Sequence, residues 1–230
     1  MAIYSVVVAA GVGKRFGTSL PKQYTEIHGQ SVLQHSIRAL SQVSRLNDCH
    51  LVVAADDDYA KTLDFAMPIH WVTGGAERMN SVFNGVEAIW QHSHTPDADW
   101  VLIHDAARPC VSTSDINKLI DQAMTCTAGG LLAVPVRDTV KRIAHVNGQT
   151  VAKTTLDRSQ LWLAQTPQLF PLAKLYSYLQ QAVRDNIPFT DEASLFEHFG
   201  EQPLLVEGSH SNIKLTFPED LLFAQTLLAP

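Results

Sequence analysis

The opening stretch of the chain decides most of what it can fold into. Ile3 to Ala9 (IYSVVVA) is an almost unbroken apolar run, which predicts a strand buried on both faces, as in a parallel sheet. Small residues and glycines follow: Ala9, Ala10, Gly11, Gly13 and Gly17. They leave backbone N–H groups uncovered, so an oxygen-rich anion can approach closely. Lys14, Arg15 and, after Pro21, Lys22 then place cations on that bare backbone. The pattern predicts a phosphate site; the alternative is a βα turn whose cations are merely solvated. Cations gathered in a chain of net charge −6 argue for the phosphate.

Two better-known glycine motifs do not fit. A Walker A loop needs a glycine where Val8 stands and a Ser or Thr where Arg15 stands. The dinucleotide fingerprint needs its third glycine at Phe16, and Gly17 comes one residue late.

With 46% hydrophobic and 17% charged residues the chain is an ordinary globular one. Its acidic balance excludes a general basic field for nucleic acid or an anionic membrane. The three cysteines, Cys49, Cys110 and Cys126, lack zinc-ligand or Cys-x-x-Cys spacing, and their odd number fits a reducing compartment. The first strand follows Met1 almost at once and no apolar run approaches a membrane span, so a cytoplasmic location is expected.

Further along, helical spacing predicts helices over Ser31 to Val43 and Glu77 to about Gln91, with a short one over Asp57 to Phe65. Strands are expected at Leu51 to Ala55, Ile69 to Val72, Trp100 to Ile103 and Leu131 to Val136. Gly74-Gly75 makes a turn, and Ser112 with Asp115 offers a capping box. This alternation predicts one α/β domain over 1–230: a Rossmann-like, mainly parallel sheet with helices on both faces and ligands at the carboxyl ends of its strands. Val140 to Arg158 breaks the pattern. Asn147-Gly148 is a type I′ hairpin signal, and neither flank has a clear core face. A lone ribbon is marginal in water, so 139–158 reads as a dimerisation arm, the alternative being a hairpin folded back on its own domain. After Trp162 to Phe170, a helix is expected over Leu172 to about Asn186, and Thr190 is the expected cap of another. Leu204 to Val206 and Ile213 to Thr216 read as strands, and Thr216 with Glu219 as the capping box of a closing helix.

Asp105, beyond the fourth strand, either holds a magnesium ion or caps the next turn. His104 reads as a hydrogen-bonded packing residue rather than a base. Arg108 is a phosphate clamp or a surface charge, and Lys214 by itself reads as a solvated strand-end lysine.

Gly11-Val12-Gly13-Lys14-Arg15 with Pro21-Lys22-Gln23-Tyr24, His104-Asp105-Ala106-Ala107-Arg108-Pro109, Pro135-Val136-Arg137-Asp138-Thr139, Thr190-Asp191-Glu192-Ala193-Ser194 and Asn212-Ile213-Lys214 occur in order along the whole chain. In this the chain closely resembles the 2-C-methyl-D-erythritol 4-phosphate cytidylyltransferases of the non-mevalonate isoprenoid route. The resemblance implies that CTP is joined to a small sugar-alcohol phosphate with release of pyrophosphate. It implies Arg15 and Lys22 as the catalytic cations, with Arg158 and Lys214 on the acceptor phosphate. It further implies Arg108, Thr139 and Thr190 lining the acceptor pocket, and Mg2+ or another divalent metal at Asp105. Ala9, Ala10, Gly11, Gly13, Lys14, Gly75, Arg78 and Ser81 would bind CTP, the base lying against backbone groups. A homodimer with exchanged arms and shared active sites is implied as well. Ala76 stands where the family carries an aspartate, which bears on base selectivity if that carboxylate acts. Three alternatives stay open: a ribitol-5-phosphate cytidylyltransferase, a nucleotide-binding regulatory domain without turnover and, more distantly, a dehydrogenase.

Overall fold

The structure is a computed structural model and describes residues 1–11 and 21–229. Gly13, Lys14, Arg15 and Gly17 lie outside the described residues.

The first strand, β1 (Ile3–Val8), has Val7 fully buried on one face of the sheet and Val6 on the other, as the apolar run requires. A one-turn 3-10 segment at Lys22–Tyr24 and a small ribbon, β2 (Glu26–Ile27) with β3 (Gln30–Ser31), lead into α1 (Val32–Ser41). Ser31 and Gln34 form a reciprocal capping box that starts α1. The alternation continues through β4 (Cys49–Val53), β5 (Ile69–Thr73), α2 (Arg78–His92), β6 (Trp100–Asp105), α3 (Thr113–Ala123) and β7 (Gly130–Pro135). A hairpin, β8 (Lys141–Val146) with β9 (Gln149–Thr155), precedes β10 (Trp162–Pro171), α4 (Leu172–Asp185), α5 (Glu192–His198), β11 (Leu204–Glu207) and α6 (Asp220–Leu227).

Seven strands form one sheet in the order β11-β7-β10-β6-β1-β4-β5. Only β10 runs antiparallel to its neighbours. The helices α1 and α3 cover one face through Leu33, Ile37, Ile116 and Leu119; α2, α4 and α5 cover the other through Val82, Val86, Leu175 and Phe196. These side chains are fully buried, so truncating one such as Ile37 to alanine would cost about 2–5 kcal/mol. The chain leaves β1 through α1 toward β4, then returns through α2 to β6 on the other side. That reversal opens a crevice at the carboxyl ends of β1 and β6.

The hairpin forms as predicted. Asn147 and Gly148 both have positive φ, 50° and 78°, as a type I′ turn demands. Every residue of β9 is exposed and only Ala144 of β8 is partly covered, so the ribbon does not fold back on its own sheet.

Several local expectations are corrected. Asp57 to Phe65 holds only a 3-10 turn at Ala60–Thr62, and the Asp57 carboxylate that precedes it accepts the Ala60 N–H and the Tyr24 hydroxyl. At α3 only the Ser112 half of the capping box forms. The cap of α5 is Asp191, not Thr190; its Oδ1 accepts the Ser194 N–H at 2.9 Å. Residues 213–216 form no strand, and the segment is fixed instead by the buried Leu215, whose N–H donates to Ala107 O at 2.9 Å. Before α6, Asp220 Oδ2 accepts the N–H groups of Thr216 and Phe217, so Glu219 forms no box. Among the described residues no helix is long and apolar enough to cross a membrane.

Candidate active site

The register of β1 on β6 sets Val8 beside Asp105, so the loops after both strands open into one crevice. Its near wall is tied down by main-chain bonds, from Ala9 N to Val52 O at 2.8 Å and from Gly74 N to Val53 O at 2.7 Å. The glycines here permit close approach. A Cβ on Gly74 would lie 2.5 Å from Ala10 Cβ, and one on Gly75 only 2.2 Å from Asn80 Cβ. Ser81 Oγ accepts the Gly75 N–H at 3.1 Å and donates to Glu77 O at 3.2 Å. Gln23, nearly fully buried, donates through Nε2 to Ala9 O at 2.7 Å and Gly11 O at 3.1 Å. Lys22 Nζ donates to Leu215 O at 2.6 Å. These elements enclose a cavity of about 210 Å³ lined by Ala9, Ala10, Gly11, Lys22, Gly75, Ala76, Arg78, Ser81, Asp105 and Lys214, among others.

A second cavity of about 200 Å³ lies alongside, lined by Arg108, Gln165, Thr166, Gln168, Thr190 and Asp191 and sharing Arg78, Asp105 and Lys214 with the first. An irregularity in β10 between Ala164 and Gln168 turns Gln165 and Thr166 toward it. The Asp105 N–H donates to Thr166 Oγ1 at 3.0 Å, which leaves that hydroxyl to donate to His104 Nδ1 at 3.1 Å. His104 then carries its proton on Nε2 and donates to Arg108 O at 3.1 Å. Burial pushes the imidazole down to about 4. Neutral, buried and spent on both nitrogens, His104 is the packing residue expected, with no free base position.

The shared wall carries three charges, Arg78, Asp105 and Lys214, backed by a fourth, Glu192. Asp105, buried at 8% exposure, receives Lys214 Nζ on Oδ2 at 2.6 Å and Arg78 on Oδ1, from Nη2 at 3.2 Å and Nε at 3.4 Å. Arg78 also grips Glu192, with Nη1 to Oε1 at 2.6 Å and Nη2 to Oε2 at 3.2 Å. Burial opposes ionisation of Asp105, but the charges of Arg78 and Lys214 and the Lys214 hydrogen bond hold its carboxyl well below the usual range. Burial likewise works against the Arg78 charge, and Glu192 and Asp105 more than offset it.

The cleft thus brings together nine of the expected residues from distant segments: Ala9, Ala10, Gly11, Lys22, Gly75, Arg78, Ser81, Asp105 and Lys214. Arg108 and Thr190 line the neighbouring cavity. Asp105 is not a turn cap through its carboxylate, and Lys214, though exposed, is ion-paired with Asp105 rather than merely solvated. Arg108 is turned inward, its Nη1 donating to Asn212 O at 2.7 Å. Thr139 and Arg158 lie apart: both are exposed at the base of the hairpin and line neither cavity, and Arg158 donates to Arg137 O. Glu192 is the residue sequence reasoning missed. Its signal was a carboxylate beside Ala193, Leu195 and Phe196, all of which are buried with it. Gln165 and Asn212 were missed too. They exchange a 3.1 Å bond, and Asn212 Nδ2 also donates to Thr166 O at 2.9 Å.

A mainly parallel sheet with two cavities at its switch point, sharing a carboxylate and two cations, fits an α/β nucleotidyltransferase. The family model of 2-C-methyl-D-erythritol 4-phosphate cytidylyltransferase matches residues 3–230. A curated relative of that name from Psychrobacter arcticus is 43% identical, with 98% of this chain and 91% of the relative covered. Another from Vibrio vulnificus strain CMCP6 is 43% identical over 99% of this chain and 95% of the relative. The crystal structure of the Francisella tularensis 2-C-methyl-D-erythritol 4-phosphate cytidylyltransferase matches with a TM-score of 0.82 at 33% identity, covering 99% of this chain and 100% of that one. The chain belongs to the 2-C-methyl-D-erythritol 4-phosphate cytidylyltransferase family and is a cytidylyltransferase of the non-mevalonate isoprenoid route.

Proposed function

We propose that the first cavity takes CTP, that the second takes the phosphate of 2-C-methyl-D-erythritol 4-phosphate, and that transfer occurs across the wall they share. The observation that carries this reading is that Arg78, Asp105 and Lys214 line both cavities. An acceptor phosphate oxygen forms a bond to the α-phosphorus of CTP, and the bond to the bridging oxygen breaks to release pyrophosphate. The nucleophile is already anionic, so no general base is needed, in keeping with the locked, neutral His104. What is needed is cationic charge where two anions meet and where charge gathers in the transition state. Lys22 and Lys214 supply it in the first cavity, with Arg15 the further cation expected on the loop. Arg108 and Thr190 hold the acceptor end. The base rests on the Ala10 to Gly11 backbone and the Gly75–Ser81 turn; the Ala9 carbonyl and the Gly75 N–H already have protein partners. With Ala76 in place of an acid, selectivity for cytosine then rests on main-chain groups.

Asp105 offers an ionised carboxylate in the shared wall, and among the described residues no group of three or more His, Cys, Asp or Glu could hold a metal by itself. That donor set suits Mg2+, or another hard divalent ion, which accepts one carboxylate and takes its remaining ligands from phosphate and water. Bound with the nucleotide, the ion would offset charge on the phosphoryl oxygens.

Thr139 and Arg158 complete the acceptor site from a second copy, in a cytoplasmic homodimer that exchanges its 139–158 arms around single domains of 1–230. The exposed ribbon supports this, since a hairpin without a core face of its own gains one against a partner. The test of the substrate reading is pyrophosphate release across a panel of nucleotides and sugar phosphates. Release with CTP and methylerythritol phosphate is expected, with ribitol 5-phosphate a poor acceptor; equal use of ribitol 5-phosphate would overturn the acceptor assignment.

A further inference from the structure

Glu192 has no solvent exposure, touches neither cavity, and among the described residues spends its carboxylate on the Arg78 side chain alone. Both ends of that contact are held rigidly. Arg78 opens α2 behind the Glu77–Asn80 capping box, and Glu192 opens α5 behind the Asp191–Ser194 box. The start of α5 is pinned to β10 as well: the Ala193 N–H donates to Gln168 Oε1 at 3.0 Å, and Gln168 Nε2 donates to Asp191 Oδ2 at 2.9 Å. A guanidinium has a limited fork of donors. With Nη1 and Nη2 committed to Glu192, only the Nε–Nη2 edge faces Asp105, at the longer distances of 3.4 and 3.2 Å.

We propose that Glu192 is a positioning residue for the transfer: by holding one edge of Arg78 it keeps that cation in the wall common to both cavities and limits its grip on Asp105. This rests on the reading that the cavities hold CTP and the sugar phosphate. Remove the Glu192 charge, and among the described residues Arg78 has Asp105 as its one remaining carboxylate. The pair tightens, and the metal that accompanies CTP must compete with it.

The test is Glu192→Gln, examined by Mn2+ binding in the presence of CTP by electron paramagnetic resonance, with thermal melting as the folding control. About a tenfold weaker Mn2+ affinity is expected, and no weakening when Glu192→Gln is added to Arg78→Met, where the competitor is gone. Unchanged Mn2+ binding in Glu192→Gln, or an equal loss in the Arg78→Met background, would overturn the proposal. If Glu192→Gln fails to fold, Arg78→Met/Glu192→Met removes both charges together, an exchange buried pairs tolerate. That variant should bind Mn2+ with CTP at least as well as wild type yet turn over about tenfold or more slowly; wild-type turnover would reduce the pair to scaffolding. Loss of coupling between Glu192 and Arg78 would overturn this inference alone, whereas failure of the two-cavity reading would show as normal turnover in Lys22→Ala.

Discussion

The cleft and the hairpin are built on opposite principles. In the cleft, buried carboxylates are paired with half-buried or exposed cations, and a single carboxylate, Asp105, answers to two of them. In the hairpin the backbone pairs antiparallel from a type I′ turn, with one irregularity between Arg142 and Ile143, while the side chains are largely exposed. An ionic cluster on buried carboxylates, open on its cationic side, suits a charged ligand. The exposed ribbon is the surface proposed to meet a second copy of the chain. Family residues expected to act together fall on both, and that division gives each region a separate way to fail.

The largest effect is expected in the cleft. Lys22→Ala should leave a folded protein and slow the chemical step by about a hundredfold or more, since its cation acts on charge that develops in the transition state. Single-turnover rates at saturating CTP check this; an unchanged rate would mean the cleft cations serve binding alone. Asp105→Asn comes next. It should raise the Mg2+ concentration for half-maximal activity by about tenfold, as one charged ligand becomes neutral, and a magnesium titration identical to wild type would remove the metal from Asp105.

Acid should act on the sheet body and spare the arm. His50 on β4 is buried and stacked on His70, with ring centroids 4.7 Å apart; burial first, then the nearby His70 charge, push it down to about 4 from an ordinary 6.5. Between those values the unfolded chain binds the proton and the folded one resists it. Stability is therefore complete above about pH 6.5 and falls as pH drops toward 4, by at most about 1.4 kcal/mol per pH unit from this group. Denaturant melts at pH 7.5 and 5 should show the loss, and His50→Asn should reduce it; a pH-independent midpoint would contradict it. The smallest effect belongs to the turn. Gly148→Ala forces a side chain into φ +78° at a cost of about 1 kcal/mol, with open space around it. Hydrogen exchange should quicken across 141–155 while the melting of the sheet body stays unchanged.

Much of the cleft is legible in sequence because it is made of local signals: a bare loop after a buried strand, Gly74-Gly75 before a helix, Asp105 at the end of another strand. The hairpin is legible for the same reason, through Asn147-Gly148. What escapes is pairing between distant segments. Nothing local says that Glu192 meets Arg78, at 114 residues' separation, or that Lys214 reaches Asp105. Caps were misplaced by a residue where several polar side chains compete, as Thr190 and Asp191 do. Residues 213–216 have a strand's composition but no neighbouring strand to pair with.

Subunit mixing tests most directly whether the reaction centre is assembled from the cleft of one chain and the arm of another. Lys22→Ala and Arg158→Ala proteins, each nearly inactive alone, are mixed and allowed to exchange subunits, with exchange followed by two different tags. In a mixed dimer one site is doubly damaged, and the other has both residues intact. Random pairing makes half the dimers mixed, so a shared site predicts recovery to about a quarter of wild-type activity. If Lys22 and Arg158 serve the same site from the same chain, every site in the mixture still lacks one of them. No recovery despite confirmed exchange would contradict the shared site and return Arg158 to its own domain.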